Sequence, residues 1–318
     1  MIRTEVAKAL GALGRRLAPN APVILIYHRV SPPERDVWGI TVSPERFAEQ
    51  VEAIKRVRRV LSLGELVAAV REGRGTSQRL AAITFDDGYQ DVATLAQPIL
   101  DRLDCPATVF VASGLVDRPQ EFWWDELAFI FLGPHELPGE LELKVRGRIR
   151  RWSLAPDNVG ARRRACHEVR RLLRNLRPQA IEACLATFRL WAGVERPARQ
   201  EVRLMTSRQI AGLRSGPIEV GAHTVRHPRL PSLERREQVA EIERSRRDLA
   251  EIAGAAVDHF AYPFGDYDGR SIAAVQSAGF ASACTTVPGV VGAGASRFRL
   301  PRIAPGQAGG EEMLQAFG

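Results

Sequence analysis

The sequence predicts an α/β fold built on parallel strands. Short apolar runs rich in β-branched or aromatic residues alternate with amphipathic helical patterns, as expected when each strand is followed by a helix. The runs cover residues 23–27, 80–85, 108–112, 218–222, 259–262 and 281–286, and the helical patterns cover 44–57, 64–71, 95–103, 235–253 and 271–278. Ser43 before Pro44 is typical of a helix start, because serine caps the first amides and proline fits the first helical position.

A stretch from about residue 114 to 204 breaks this alternation. It begins with the aromatic residues Phe122, Trp123 and Trp124, continues through a segment rich in proline and glycine, and ends in arginine-rich helical patterns at 160–175 and 179–192. We interpret it as a mainly helical insertion between two strands. A small second domain is the alternative that the sequence leaves open.

The composition is that of a globular protein: 45% of the 318 residues are hydrophobic and 26% are charged. The formal charge of +8 raises nucleic acid as a partner, but no recognition motif accompanies the arginine runs. We therefore expect no nucleic-acid partner. The arginines at 235–247 alternate with Glu234, Glu237, Glu241 and Glu243, which predicts a solvated helix face.

The cysteines and the N-terminal segment bear on the cellular location. Cys105, Cys166, Cys184 and Cys284 stand far apart, so we expect free thiols in a reducing compartment. Residues 1–20 form an amphipathic helical pattern that is too short and too interrupted by charge for a signal peptide or a membrane span. We expect a cytoplasmic location, with this helix packed on the protein's own core. Peripheral contact with a membrane surface is its alternative use.

Two carboxylates follow the predicted strand at 80–85. Asp86 and Asp87 come directly after it and precede Gly88. Catalytic groups of barrel enzymes gather at the carboxyl ends of parallel strands, which favours a catalytic role. Asp-Gly is also common turn chemistry, so a simple turn is equally compatible with these residues alone.

Two histidines follow the predicted strand at 218–222. His223 comes directly after it and His227 four residues later, a spacing that places both imidazoles on one face of a helical turn and is common in zinc sites. Surface or capping histidines are the alternative. Two neutral imidazoles and one carboxylate would leave coordination positions open for water and substrate, as in catalytic metal sites.

These motifs together resemble a known family. TFDDG at 84–88, HTVRH at 223–227 and the turn YPFG at 262–265 match, in order and spacing, the motif series of the polysaccharide deacetylases, carbohydrate esterase family four. The resemblance implies the NodB homology fold, a distorted (β/α) TIM-like barrel. We place the barrel at residues 21–305 with the insertion at about 114–204, after the N-terminal helix at 1–20, and with a tail at 306–318.

The resemblance also implies the roles of the site residues. Asp86 would be the catalytic base, and Asp87, His223 and His227 would hold a divalent metal ion, zinc first, with cobalt, nickel and manganese as alternatives. Metal-bound water would attack the N-acetyl carbonyl of an amino sugar in a polysaccharide or glycan. The turn would wall the substrate groove and bind the oxyanion through the amide of Phe264; its members are Tyr262, Pro263, Phe264 and Gly265.

The chain departs from the family pattern at two places. The usual arginine two residues before the proline is Ala261 here, and we predict that Arg302 orients the base instead, although alone it would be interpreted as a surface arginine. No histidine follows His259, where the family has a late Leu-His motif. We predict His28 as the general acid, because this order resembles the permuted poly-N-acetylglucosamine deacetylases and the first and last strands of a closed barrel are neighbours. Without the resemblance, His28 would be structural.

Other interpretations use the same residues. The substrate could be a lipid-linked or nucleotide-linked amino sugar, the reaction could be deformylation, or the chain could be a catalytically inactive glycan-binding homologue. Trp123 and Trp124 would stack on a sugar ring or anchor the insertion. We expect structural roles for His135, His167 and His259.

Overall fold

The computed structural model describes residues 20–32, 36–75, 77–145, 147–154, 158–213 and 216–315. The helix predicted at residues 1–20 therefore lies outside the described residues, except for Asn20. The chain divides into two compact units: unit 1 comprises the residues up to Asp117 and from Leu204 onward, and unit 2 comprises Arg118–Arg203.

The described strands are short and most belong to one sheet. In chain order they are β1 Val23–Tyr27, β2 Arg29–Val30, β3 Thr41–Val42, β4 Arg59–Val60, β5 Leu80–Phe85, β6 Ala107–Val111, β7 Glu140–Val145, β8 Arg148–Ser153, β9 Ile218–Ala222, β10 His259–Ala261 and β11 Ser282–Cys284.

The main sheet of unit 1 is parallel and has the order β1-β5-β6-β9-β10-β11, with β4 also paired to β5. The chain after β11 then closes it. Leu300 forms a parallel bridge with Cys284 of β11, and Ile303 forms one with Leu25 of β1. The first and last strands are thus joined through one segment, and the predicted α/β barrel is confirmed.

Helices cover the outside of the sheet in unit 1. They are Pro44–Val57, Leu63–Arg71, Gln97–Arg102, Ser207–Gly212, Arg235–Ala253, Gly269–Ser277 and Gly310–Gln315. The oxygen of Ser43 accepts a hydrogen bond from the Arg46 amide, as predicted for an N-cap. The helix predicted at 95–103 instead starts as a π-helical turn at Val92–Ala96 and continues as Gln97–Arg102.

Two apolar layers follow from the alternation of side chains along each strand. The outer layer packs strand residues such as Leu25, Ile83 and Val109 against the helices. The inner layer joins side chains from different strands inside the barrel; they include Ile24, Ala82, Phe110, Ala261, Cys284 and Leu300. Every second side chain of a strand faces the interior. Where this alternation continues just past the end of a strand, the side chain therefore points into the mouth of the barrel.

The described residues of unit 2 include three α-helices, Trp123–Leu132, Val159–Leu173 and Pro178–Ala192, and an antiparallel hairpin of β7 and β8. The hairpin was not predicted from the sequence. Trp124 is buried and stacks on Phe122 with ring centroids 4.2 Å apart, so it contributes to the core of the unit. No helix among the described residues is long and apolar enough to cross a membrane.

Candidate active site

The strand ends bring the predicted residues to one rim of the barrel. Asp86 continues the alternation by which Ala82 and Thr84 of β5 face the interior of the barrel. His223 likewise continues the inward-facing positions of β9 after Gly221. The register of β1 and β5 pairs Tyr27 with Phe85, so the next residues, His28 and Asp86, lie on neighbouring chain segments. These polar groups therefore share the carboxyl end of the sheet.

The backbone of Asp87 does not continue the extended conformation of β5. Its φ of 74° is in the left-handed region, which non-glycine residues rarely adopt, and it turns the side chain toward the two histidines. Asp87 Oδ1 lies 3.2 Å from His227 Nε2 and 3.5 Å from His223 Nε2, and the two Nε2 atoms are 3.1 Å apart. All three side chains are buried and place their ligand atoms within 4.8 Å of one another.

This cluster fits a divalent metal ion. His223 Nδ1 lies 2.7 Å from the carbonyl oxygen of Ala261. Because a carbonyl only accepts, Nδ1 carries the proton, and the lone pair of Nε2 points into the cluster. That lone pair and the carboxylate of Asp87 are both suited to bind a cation placed between them. Two imidazole nitrogens and one carboxylate oxygen are the donor set of a catalytic zinc site.

The protonation states agree with a ligand role. Burial, which disfavours the imidazolium, keeps the pKa of His227 below its ordinary value despite the neighbouring carboxylate of Asp87. Burial alone would raise the pKa of Asp87, but the adjacent imidazoles of His223 and His227 outweigh this and hold the pKa well below its usual range. A neutral imidazole and an ionised carboxylate are the forms that bind metal.

The loop from His223 to His227 has a strained backbone. Thr224 and His227 have φ values of 66° and 54°, and a β-branched residue such as threonine strongly disfavours this region. The His227 amide donates to Thr224 Oγ1 at 3.0 Å. Strain of this kind persists only where surrounding contacts fix the loop.

Glu241 supplies those contacts. Its Oε2 accepts hydrogen bonds from the amides of Val225 and Arg226, both at 2.9 Å, and its Oε1 pairs with Arg226 Nε at 2.7 Å. Glu241 is only 3% exposed, so its prediction as part of a solvated helix face was wrong. The buried positions Gln238, Ile242, Ser245 and Leu249 share its helix face, and this three-to-four-residue spacing was the signal that could have found it.

Asp86 is held by Arg302. The guanidinium donates from Nη1 to Oδ1 and from Nη2 to Oδ2 of Asp86, both at 2.6 Å. It also donates from Nε to the carbonyl of Thr285 at 2.8 Å and from Nη1 to Thr84 Oγ1 at 3.1 Å. Burial alone would raise the pKa of Asp86, but the charge of Arg302, together with His223, lowers it below its ordinary value. The carboxylate is therefore ionised and fixed in orientation.

Arg302, which we predicted to orient the base, is not a surface residue. The residue is 1% exposed, and its guanidinium lies 5.6 Å from the ring centroid of Phe110 inside the barrel. Because the segment between Leu300 and Ile303 closes the sheet, the side chain of Arg302 enters the interior. Arg302 therefore reaches Asp86 from inside the barrel. Ala261, at the position expected to carry the arginine, has a side chain too short to do so.

His28 is half-buried at the end of β1. The amide of Asp86 donates to the carbonyl of Tyr27 at 2.9 Å, which fixes the backbone before His28 beside the backbone of Asp86. The next residue, Arg29, donates through Nε to Asp91 Oδ2 at 2.8 Å. Burial raises the pKa of Asp91 to about 6, against the opposing charge of Arg29.

The turn after β10 contributes Phe264. Its φ is 60°, and its ring lies edge-on to that of His227 with centroids 4.6 Å apart. Gly265 has a φ of 71°, and a Cβ there would lie 2.0 Å from Thr286 Oγ1, so no other residue fits without rearrangement. Tyr262 is buried and its hydroxyl donates to the carbonyl of Phe298. This corrects its prediction as a groove wall: in the strand alternation its side chain faces the outer layer, as does that of Phe260.

The remaining histidines have structural contacts where the structure describes them. His135 Nε2 lies 2.9 Å from the Ile130 carbonyl, and His259 Nδ1 lies 2.9 Å from Ser282 Oγ. All four cysteines are free.

Comparisons with known proteins agree with this geometry. A family model described as polysaccharide deacetylase matches residues 73–138 and 184–283, which is just over half of the chain. The chain belongs to the polysaccharide deacetylase family. The match includes Asp86, Asp87, His223 and His227, and it does not extend to His28 or Arg302.

Solved structures of deacetylases share the fold. The Streptococcus pyogenes deacetylase PplD in complex with acetate is 19% identical with a TM-score of 0.61, over 94% of this chain and 98% of that chain. IcaB from Ammonifex degensii is 20% identical with a TM-score of 0.60, again over 94% and 98%. A polysaccharide deacetylase from Bacillus cereus is 16% identical with a TM-score of 0.60, over 94% of this chain and 69% of that one. A search of curated proteins gave no match.

Proposed function

We propose that this polysaccharide deacetylase hydrolyses the N-acetyl group of an amino sugar in a glycan, in a reaction that depends on a divalent metal ion. One observation carries the proposal: an ionised carboxylate, Asp86, fixed by a buried arginine, lies beside the buried cluster of Asp87, His223 and His227. A base next to a metal-ligating triad is the arrangement needed to cleave an unactivated amide.

The three ligands and the base have separate tasks. Asp87, His223 and His227 would hold the ion, which when bound polarises an acyl carbonyl and lowers the pKa of water. Asp86 takes one proton from the attacking water. Because Arg302 occupies both oxygens of Asp86 from one side, the remaining lone pairs face away from it, and the base has one defined direction of approach.

His28 completes the proposed reaction. Water adds to the carbonyl carbon, the C–N bond breaks, and the departing nitrogen takes a proton from His28, which gives acetate and a free amino sugar. The leaving group of an activated ester needs little protonation, so His28→Ala should slow amide cleavage by about 10²–10⁴-fold and harm cleavage of an activated ester much less. The amide-to-ester rate ratio in parent and variant is the measurement, at matched metal content and below both melting temperatures. An unchanged ratio would remove His28 from the mechanism.

The experiment that tests the function is product analysis. Metal-loaded protein is incubated with chitin oligomers, poly-N-acetylglucosamine oligomers, and lipid-linked and nucleotide-linked N-acetyl amino sugars, and the products are analysed by mass spectrometry for the loss of one acetyl group. Asp86→Asn is the matched control, since it preserves the shape of the base but cannot accept a proton. We expect deacetylation by the parent and almost none by Asp86→Asn at equal metal content. Equal turnover by both proteins would contradict the assignment, and no turnover on any substrate would favour a glycan-binding homologue.

A further inference from the structure

A second polar pocket lies at the opposite ends of the strands. Its lining includes residues that precede β1, begin β4 and precede β5, which are the amino ends of these parallel strands. Its volume is about 500 Å³, within the range of small-molecule sites. The lining comprises Asn20, Lys55, Arg56, Val57, Arg58, Arg59, Ser77, Gln78 and Arg79.

The lining combines five cationic side chains with neutral ones, and none of the described lining residues is acidic. Two cations have contacts at its margin. Lys55 donates to the carbonyls of Leu103 and Asp104, and Arg56 forms an ion pair with Glu311 in which both side chains are largely exposed. Exposed pairs contribute little, so the carboxylate of Glu311 compensates only a small part of the pocket's charge.

Two of the other cations, Arg58 and Arg79, donate to neutral acceptors. Arg58 is buried and donates to the carbonyl of Ala21 at 2.8 Å, and Arg79 donates to Asn20 Oδ1 at 2.8 Å. Burial, followed by the like charge of Arg79, lowers the pKa of Arg58. Arg79 also has a φ of 46°, in the left-handed region. A buried guanidinium near a second one, in a lining whose described residues include no acidic group, produces a positive potential that a bound anion would relieve.

We propose that this pocket binds a phosphate or diphosphate group, separately from the proposed catalytic residues. Guanidinium groups match phosphate oxygens in bidentate geometry, and several such groups close together favour a multiply charged anion over a single carboxylate. The phosphate could belong to a soluble diphosphate or to the headgroup of an anionic lipid, because both present the same group to the arginines.

The test compares two soluble probes and one lipid probe on the full chain. Binding of inorganic phosphate and pyrophosphate is measured by calorimetry at constant ionic strength, and cosedimentation is measured with vesicles of phosphatidylglycerol and phosphatidylcholine against phosphatidylcholine alone. The pocket variant is Arg59→Gln/Arg79→Asn, since Arg59 is exposed and asparagine tolerates a left-handed backbone. The control, Arg235→Gln/Arg236→Gln, removes the same charge from exposed positions of a helix outside the pocket lining.

We expect the pocket variant to bind pyrophosphate or anionic vesicles at least tenfold more weakly than the parent, while the control binds within twofold of the parent. Binding of pyrophosphate alone identifies a soluble ligand, and binding of vesicles alone identifies a lipid headgroup. Arg59→Gln alone serves if the double variant does not fold, as judged by its melting temperature. The proposal is overturned if the parent binds none of the probes. It is also overturned if the pocket variants bind as tightly as the parent, which is the result expected when the anion binds at the proposed metal site instead.

Discussion

Replacing Arg302 by leucine should destabilise the barrel strongly. The substitution removes four hydrogen bonds of the guanidinium, two of them to Asp86, and leaves the Asp86 carboxylate buried without a counter-ion. Removing one partner of a buried ion pair typically costs about 3–5 kcal/mol. Arg302→Lys keeps the charge but has one nitrogen where the guanidinium has three. It should lose at least one charged hydrogen bond, worth about 1.5–3 kcal/mol.

The carboxylate itself causes most of this cost. Asp86→Asn in the Arg302→Leu background removes the unpaired charge and should recover part of the free energy of unfolding, whereas the same substitution in the parent should lower it. Four of the five tryptophans lie in residues 118–203. Fluorescence would therefore report mainly on unit 2, and amide hydrogen exchange of β1 and β5, read by mass spectrometry on metal-depleted protein, is the better assay.

Two results would refute this reasoning. A loss below about 1 kcal/mol for Arg302→Leu would mean that the arginine behaves as a surface residue, since surface substitutions usually stay within about 0.5 kcal/mol. An Asp86→Asn substitution that worsens the Arg302→Leu variant would mean that the buried carboxylate is compensated by another group.

Three further predictions concern the surroundings of the site. His223→Ala and His227→Ala should each lose the roughly one divalent ion per chain expected for the parent, and metal analysis showing full retention would contradict the ligand assignment. Glu241→Gln should reduce metal affinity by about 10–100-fold, the usual effect of outer-shell changes, and calorimetric metal titration with Glu243→Gln as control would measure it. Asp91 has a pKa raised to about 6, so stability that it provides below its unfolded pKa near 3.8 is lost as the pH rises to 6. Asp91→Asn should abolish this loss, on the order of 3 kcal/mol, in unfolding measured from pH 4 to 7.

Local pattern was sufficient to predict most of the barrel. The strands at 23–27, 80–85 and 218–222 and the helices at 44–57 and 235–253 have the predicted bounds, because buried parallel strands are continuously apolar and the helices have an amphipathic period. The hairpin of β7 and β8 was not predicted. Its strand Arg148–Ser153 is mostly exposed, so it lacks the apolar signal by which strands are recognised.

Two residues of the site, Glu241 and Arg302, owe their positions to long-range contacts. Glu241 was assigned to solvent from its neighbours in sequence, but its partners are the amides of the histidine loop 15 and 16 positions away. Arg302 meets Asp86 across 216 positions, and only closure of the barrel brings them together. Sequence spacing carries no record of such contacts, and the metal-ligand motif was predicted because its histidines are close in sequence as well as in space.

Barrel closure also explains how the base-orienting arginine and the proposed acid could come from other parts of the chain than the family motifs indicate. The segment at Leu300–Ile303 pairs with both β11 and β1, so the interior position beside Asp86 is reached equally from the first strand and from the last segment. The last segment supplies Arg302, because the position where the family motif has its arginine is Ala261 here. The proposed acid, His28, comes from the end of β1, because no histidine follows His259. A reaction of this kind requires groups at fixed points around a rim, and a closed sheet offers each point to more than one stretch of sequence. The two departures from the family motifs are therefore compatible with one preserved arrangement of base, ligands and acid.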